Sequence, residues 1–337
     1  MRGPILKSAT AIAAVFAMIG ATSTAVGAGL TLGNLIVSGT PTTIREYTPT
    51  GTLVQTLPSS GSGSFTTGMC FDASGNLLVT NFSQGTVAQF SAATGALVTS
   101  TFLNPGGAPE ACVRDAAGNF YTTNTSGTKP AITKFSPTGT QLATFLPNTR
   151  SDWMDLAADQ CTMYWDDEGT TQQIHRFNIC NGTALSDLGG SGEYTAIRVL
   201  PGSGDIIVAN EGLNRVDRFS STGTLLGSWT PTGTSGSVFS LNLDPDGQTF
   251  WTGDTGGKVF RFSLSSFGPQ ITSFATANTQ MFGVALVGEI TVGAPPPTGG
   301  VNGSVASQIP TLSEWGLILL GLAVAGLGVV AIRKRRA

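Results

Sequence analysis

The chain is poor in the side chains from which most active sites are built. It has one histidine, His175, in 337 residues, and only 11% of its residues are charged. A lone imidazole leaves histidine-based acid–base chemistry without a second group. Four cysteines, with no C-x-x-C pair and no Cys/His pair at ligand spacing, speak against a structural zinc site. Between residues 29 and 308, 11 Lys and Arg face 19 Asp and Glu. That acidic excess disfavours nucleic acid and anionic lipid as partners. What the chain does have is 45 glycines and abundant Ser and Thr, a composition that suits an extracellular all-β domain better than a cytosolic enzyme.

Long apolar runs stand at the two ends. Residues 1–28 carry Arg2 and Lys7, an alanine-rich stretch from Ala9 to Ala21, and Val26-Gly27-Ala28, an A-x-A-like cleavage site. This predicts a signal peptide. At the other end Trp315 to Ile332 gives 18 residues without a charge, near the lower limit of about 17–25 for a spanning helix. Arg333-Lys334-Arg335-Arg336 follows, and the positive-inside rule keeps it cytoplasmic, with the bulk of the chain on the far side of the membrane. Residues 293–308, rich in Pro, Gly and Ser, read as a linker.

The motif Ile309-Pro310-Thr311-Leu312-Ser313-Glu314-Trp315-Gly316, then the apolar helix, then the basic end, resembles the IPTL-CTERM sorting signal, a relative of the PEP-CTERM signals of Gram-negative bacteria. The resemblance covers about residues 309–337. It implies recognition by an exosortase-type membrane protease and delivery of the ectodomain to the cell surface or extracellular matrix.

Within the ectodomain one unit recurs: an apolar residue, two variable residues, an aromatic, then a glycine turn. Its aromatics are Tyr47, Phe90, Phe135, Phe177, Phe219 and Phe262, spaced 43, 45, 42, 42 and 43 residues apart. A second marker, strand–turn–strand, precedes five of them, as in CFDASGNLLVTN from Cys70 and LNLDPDGQTFWTGD from Leu241. A period of this length fits four short strands per unit and hence a six-bladed β-propeller over residues 29–292. The first unit lacks an innermost strand, and Met281 to Ile290 repeats that pattern at the end of the domain, so the ring is predicted to close with a C-terminal strand. The units resemble NHL propeller repeats, most clearly over Asn210-Glu211-Gly212-Leu213-Asn214-Arg215-Val216-Asp217-Arg218-Phe219.

Repeat registration puts Cys161 at the turn entering the second strand of blade four and Cys180 just after its third strand, which predicts a disulfide between them. Cys70 and Cys112 fall on first strands of neighbouring blades, where they either bridge or serve as small buried apolar residues.

For chemistry the strongest alternative to a binding module is a metal-dependent hydrolase, because TGMCFDASGNL from Thr67 resembles the gluconolactonase-type propellers. That resemblance implies Ca²⁺ or Mg²⁺ at the channel mouth, held by residues five positions before each turn: Thr67, Glu110, Met154, Ala196, Phe239 and Phe282. Only Glu110 is a strong ligand, with Asp155 to assist, fewer carboxylates than a hard cation usually takes. Asn81, Asn124, Asp166, Asp167, Asn210 and Asp254 recur at the ends of second strands, either as a sugar-binding rim or as turn caps. His175 reads as a solvated blade residue. The sum is an exported, non-catalytic interaction module that requires no cofactor, with a surface polysaccharide or a protein as its ligand.

Overall fold

The computed structural model describes residues 28–63 and 65–291; the expected signal peptide up to residue 27, and from residue 292 the expected linker, the sorting motif and the C-terminal apolar segment, lie outside the described residues. No helix among the described residues is long and apolar enough to cross a membrane.

Six four-stranded antiparallel sheets form the blades of the ring. Their innermost strands are Gln280–Leu286, Thr66–Phe71, Cys112–Arg114, Met154–Leu156, Tyr194–Val199 and Val238–Leu243, for blades one to six. Blade one is completed as the repeat pattern predicts, with Leu35 paired to Leu286 and Val37 to Val284. This junction satisfies two strand edges that an open ring would expose.

Burial falls outward along each blade. The recurring third-strand aromatics are all buried, whereas fourth strands expose Leu53, Val98, Leu142 and Leu225 to water. The β-branched and aromatic residues of the inner strands therefore fill the spaces between blades, and the fourth strands form the rim. Between blades a hydroxyl reaches from one sheet to the next: Thr80 donates to the Glu110 carbonyl at 3.1 Å, Thr123 to that of Asp152 at 2.7 Å, and Thr195 to that of Phe239 at 2.8 Å. Ser38 donates in the same way to Thr67.

The first strands start on one face of the ring, here the mouth face, and end on the other, the tail face. On the tail face each first turn is closed by a backbone bond: Asp72 to Asn76, Asp115 to Asn119, Ala157 to Thr162, Leu200 to Asp205 and Asp244 to Thr249. A third-strand side chain then ties that turn down, as in Gln89 to Asp72 at 3.0 Å, Lys134 to Asp115 at 3.7 Å and Arg218 to Asp205 at 2.6 Å.

Both disulfides are present. Cys161–Cys180 joins two turns on the tail face of blade four, with Cα atoms 5.2 Å apart, and Cys70–Cys112 joins the first strands of blades two and three, with Cα atoms 5.6 Å apart.

Candidate functional site

Counting five residues back from each observed turn gives Thr67, Glu110, Asp152, Thr195 and Phe239 as the equivalent positions at the channel mouth. The expected residues in blades four and five, Met154 and Ala196, are therefore displaced from it. In blade four the acid that looked like the turn opener, Asp159, lies inside the turn and accepts the N–H groups of Cys161 and Thr162 at 2.9 and 2.8 Å. The turn itself opens at Ala157. Sequence reading thus missed Asp152, the residue that meets Glu110.

At the mouth, Glu110, Asp152 and Asp166 form a buried acidic group facing one arginine. Arg150 grips Asp152 through Nε at 3.1 Å and Nη2 at 3.0 Å, and its guanidinium also pairs with Glu168. Burial, followed by the Asp152 charge, pushes the Glu110 carboxyl well above its ordinary range, and burial and Asp152 do the same to Asp166. Burial also raises Asp152, against the pull of Arg150. Burial and mutual repulsion thus both favour the protonated form of Glu110 and Asp166, while Arg150 favours the charged form of Asp152. Asp166 accepts the Trp153 N–H at 3.1 Å through Oδ1, while its Oδ2 and the Trp153 indole nitrogen have no hydrogen-bond partner among the described residues.

Asp155 does not join Glu110. It sits three residues beyond Asp152, toward the tail face, and its two oxygens accept the Leu156 and Val199 N–H groups at 2.8 Å each. Asp155, Arg198 and Asn242 are equivalent positions of consecutive blades. Arg198 Nε donates to Asn242 Oδ1 at 3.1 Å, and Asn242 donates to Glu289. These side chains, with Arg114 and the Cys70–Cys112 bridge, close the tail end of the channel around a cavity of about 10 Å³. That is room for about one water molecule and no substrate. Among the described residues no three of His, Cys, Asp and Glu converge to hold a metal ion.

The recurring Asn and Asp residues at second-strand ends are buried caps. Asp254 accepts the Lys258 N–H at 2.8 Å and the Ser235 N–H at 2.6 Å. Asn210 accepts from the Leu213 N–H at 3.1 Å, and Asn124 accepts from the Ser126 N–H at 3.0 Å while donating to the Gly106 carbonyl at 2.8 Å. Each ties a turn to itself or to the strand entering its blade. Trp153, Trp165, Trp229 and Trp251 are likewise buried and belong to the core.

His175 is buried rather than solvated. Its Nε2 lies 2.6 Å from the Thr171 hydroxyl and 3.5 Å from Asp167 Oδ2, its Nδ1 lies 3.0 Å from Asp187, and its ring stacks on Trp165 at 4.1 Å. Hydroxyl, imidazole and carboxylate in a row have the outline of a nucleophilic triad. The second carboxylate changes that role. Burial works to lower the imidazole pKa, but hydrogen bonds to Asp167 and Asp187 outweigh it and raise the value. The ring is thus shared between two carboxylates, one at each nitrogen, rather than aligned on the Thr171 hydroxyl alone.

A cleft of about 320 Å³ between blades four and five is lined by Tyr194, Arg215, Asp217, Phe219 and Leu225 among others. Its one carboxylate, Asp217, is already engaged by Asn210 at 2.8 Å, by Arg215 at 2.6 Å and by Ser228 at 2.5 Å.

The chain carries an IPTL-CTERM motif over residues 308–336. No curated protein matches the sequence. Among solved structures, the ring is similar to a chain of a nidogen/laminin complex at 15% identity and a TM-score of 0.61, covering 75% of this chain and 98% of that one. Smaller overlaps occur with a streptogramin B lyase, at 15% identity and a TM-score of 0.49 over 63% of this chain and 69% of that chain. A virginiamycin B lyase from Staphylococcus aureus overlaps at 13% identity and 0.47, over 63% and 70%. At these identities the likeness is one of fold.

Proposed function

We propose that the chain is an exported surface or matrix protein whose propeller acts as a non-catalytic interaction module, presented by its mouth face. The organisation is a signal peptide over 1–28, the propeller over 29–292, a linker over 293–308 and the sorting segment over 309–337. The IPTL-CTERM motif supports processing by an exosortase-like system, and two disulfides suit an oxidising compartment.

The observation that carries the reading is where the described ends lie. Leu30 donates its N–H to the Ala92 carbonyl, in the third-to-fourth turn of blade two, at 2.7 Å, and Thr291 lines the cavity under the channel. Both positions are on the tail face. The chain continues toward the sorting segment from that face, and we assign the opposite one to a polysaccharide or protein ligand. The residues with catalytic character are meanwhile engaged by neighbours: Asp155 with Val199 of the next blade, and, within blade four, Asp152 with Arg150 and His175 with two aspartates.

The test is surface labelling of intact cells of a Gram-negative host that encodes an exosortase. The chain should be reached by an impermeant amine reagent, and replacing Ile309 to Leu312 with alanine should abolish its maturation and surface display. Unlabelled, cytoplasmic protein overturns the export. Lactone hydrolysis that needs added Ca²⁺ or Mg²⁺ and disappears in Glu110→Ala overturns the non-catalytic reading.

A further inference from the structure

The His175 clamp joins two connections of blade four that meet on the mouth face. One is the turn between the second and third strands, which supplies Asp167 and Thr171; the other is the strap from Asp187 toward blade five. Leu188 N–H bonds the Ile174 carbonyl at 2.9 Å and Gly192 N–H bonds that of Gln172 at 3.3 Å, so the strap runs beside the turn. The same turn contains Glu168, the partner of Arg150 at the channel mouth. Glycines at 169, 189 and 190 all have positive φ, from 79 to 110°, a backbone that side chains rarely hold and that glycine holds without strain. Beside those two backbone bonds, side-chain contacts hold this corner of the ring, and His175 makes three of them.

We propose that His175 is a proton-operated latch, fixing the turn and the strap to each other when its ring is charged and freeing them when it is neutral. A charged ring donates from Nδ1 to Asp187 and from Nε2 toward Asp167 and Thr171. A neutral ring carries one N–H, so one of the two carboxylates loses its imidazole donor and the joint weakens on that side, Asp167 then keeping only the Thr171 N–H of its own turn and Asp187 no bond to the ring. The groups facing the imidazole from each surrounding element are Trp165 on the second strand, Asp167 and Thr171 on the turn, and Asp187 beyond the fourth strand. Arg176, next along the third strand, is turned to the Ser186 carbonyl at 2.6 Å. Two anions and no cation thus face the ring, so its charged form is favoured. The sign follows: a raised folded-state pKa makes the clamp complete below the ordinary imidazole value of about 6.5 and lost as pH rises through the folded value. The latch concerns control of the face assigned above to ligands, but it is tested on the purified chain without any ligand, so its failure leaves the binding reading standing.

The experiment is hydrogen exchange on the full-length chain in detergent, from about pH 6 to about pH 9, corrected for the intrinsic pH dependence of exchange. Protection in residues 166–172 and 187–192 should fall about tenfold across this range, while the equivalent turn of blade five, 210–215, stays unchanged. His175→Asn should show the loosened level at every pH, and Asp187→Asn should move the midpoint down. Should His175→Asn not fold, Trp165 emission in the wild type, quenched by a charged ring stacked on it, supplies the same titration. Protection and emission that are flat with pH, or an unaltered pH profile in His175→Asn, overturn the proposal.

Discussion

The indole of Trp153, in blade four, reaches across the channel to Gly68 in blade two: a Cβ placed on Gly68 would stand 3.2 Å from Trp153 Cη2. The first strand of blade three, with Ala111 at the equivalent position, lies between them in ring order. One large side chain among small ones thus fills the axis at this level, and Trp153 is only 1% exposed. Trp153→Ala should cost about 3–5 kcal/mol by opening a cavity that the rigid ring cannot collapse into. Trp153→Phe should cost much less, since it also removes the unpartnered indole N–H. Gly68→Ala should destabilise by about 1–3 kcal/mol, because the new methyl meets the Glu110 carbonyl oxygen at 2.6 Å and blade-three backbone must give way. Urea unfolding of the three variants checks the order.

The two disulfides should differ in value. Cys70 and Cys112 are 42 residues apart, and Cys161 and Cys180 are 19 apart. In the chain-entropy account the longer loop is worth about 4 kcal/mol and the shorter about 3. Replacing Cys70 and Cys112 together by alanine should therefore lower the unfolding midpoint more than replacing Cys161 and Cys180. The opposite order would mean that the shorter loop also organises blade four in a way that loop length does not capture.

The architecture was legible because the repeats share their local chemistry: an aromatic every 42 to 45 residues, an apolar inner strand and, in blades two, three and six, an acid opening the first turn. Even the closing strand could be placed from its missing counterpart in blade one. The mouth was harder to read for a specific reason. Blade four replaces the usual turn acid by Ala157 and carries Asp159 inside the turn, so counting from Asp159 moves the register by two residues and hides Asp152. The His175 clamp was invisible because its partners come from different connections: Asp167 stands at a recurring second-strand end, but no repeat position specifies Asp187 or brings it to the same ring. Burial, which decides whether Asn210 or Asp254 is a rim or a cap, is a property of the assembled ring.

Asp254 shows what those caps are worth. Its carboxylate takes one N–H from its own turn, Lys258, and one from Ser235 on the segment entering blade six, and it is fully buried. Asp254→Ala leaves both donors without their acceptor at a partly buried site and should cost about 1–3 kcal/mol. Asp254→Asn keeps one acceptor oxygen and should retain about half of that. Thermal unfolding of the pair distinguishes a cap from a free rim residue, whose replacement would change stability by less than about 0.5 kcal/mol.

Glu289 sits where the ring closes and the tail departs, its carboxylate bonded to Asn242 and facing Arg198. Burial is the main influence on it and pushes its pKa up to about 7, with Arg198 and the Asn242 hydrogen bond pulling the other way. The folded chain therefore binds this proton more tightly than the unfolded one. Its contribution to stability is largest in acid and declines as pH rises from about 4.5 to about 7, by about 3 kcal/mol in all. A glutamine accepts the same Asn242 hydrogen bond without a charge to bury. Glu289→Gln should accordingly be more stable than the wild type above neutrality and nearly equal to it at about pH 4.5, flattening the pH profile of unfolding. A variant less stable than the wild type above neutrality would show instead that the attraction of Arg198 outweighs the burial of the charge at the closure of the ring.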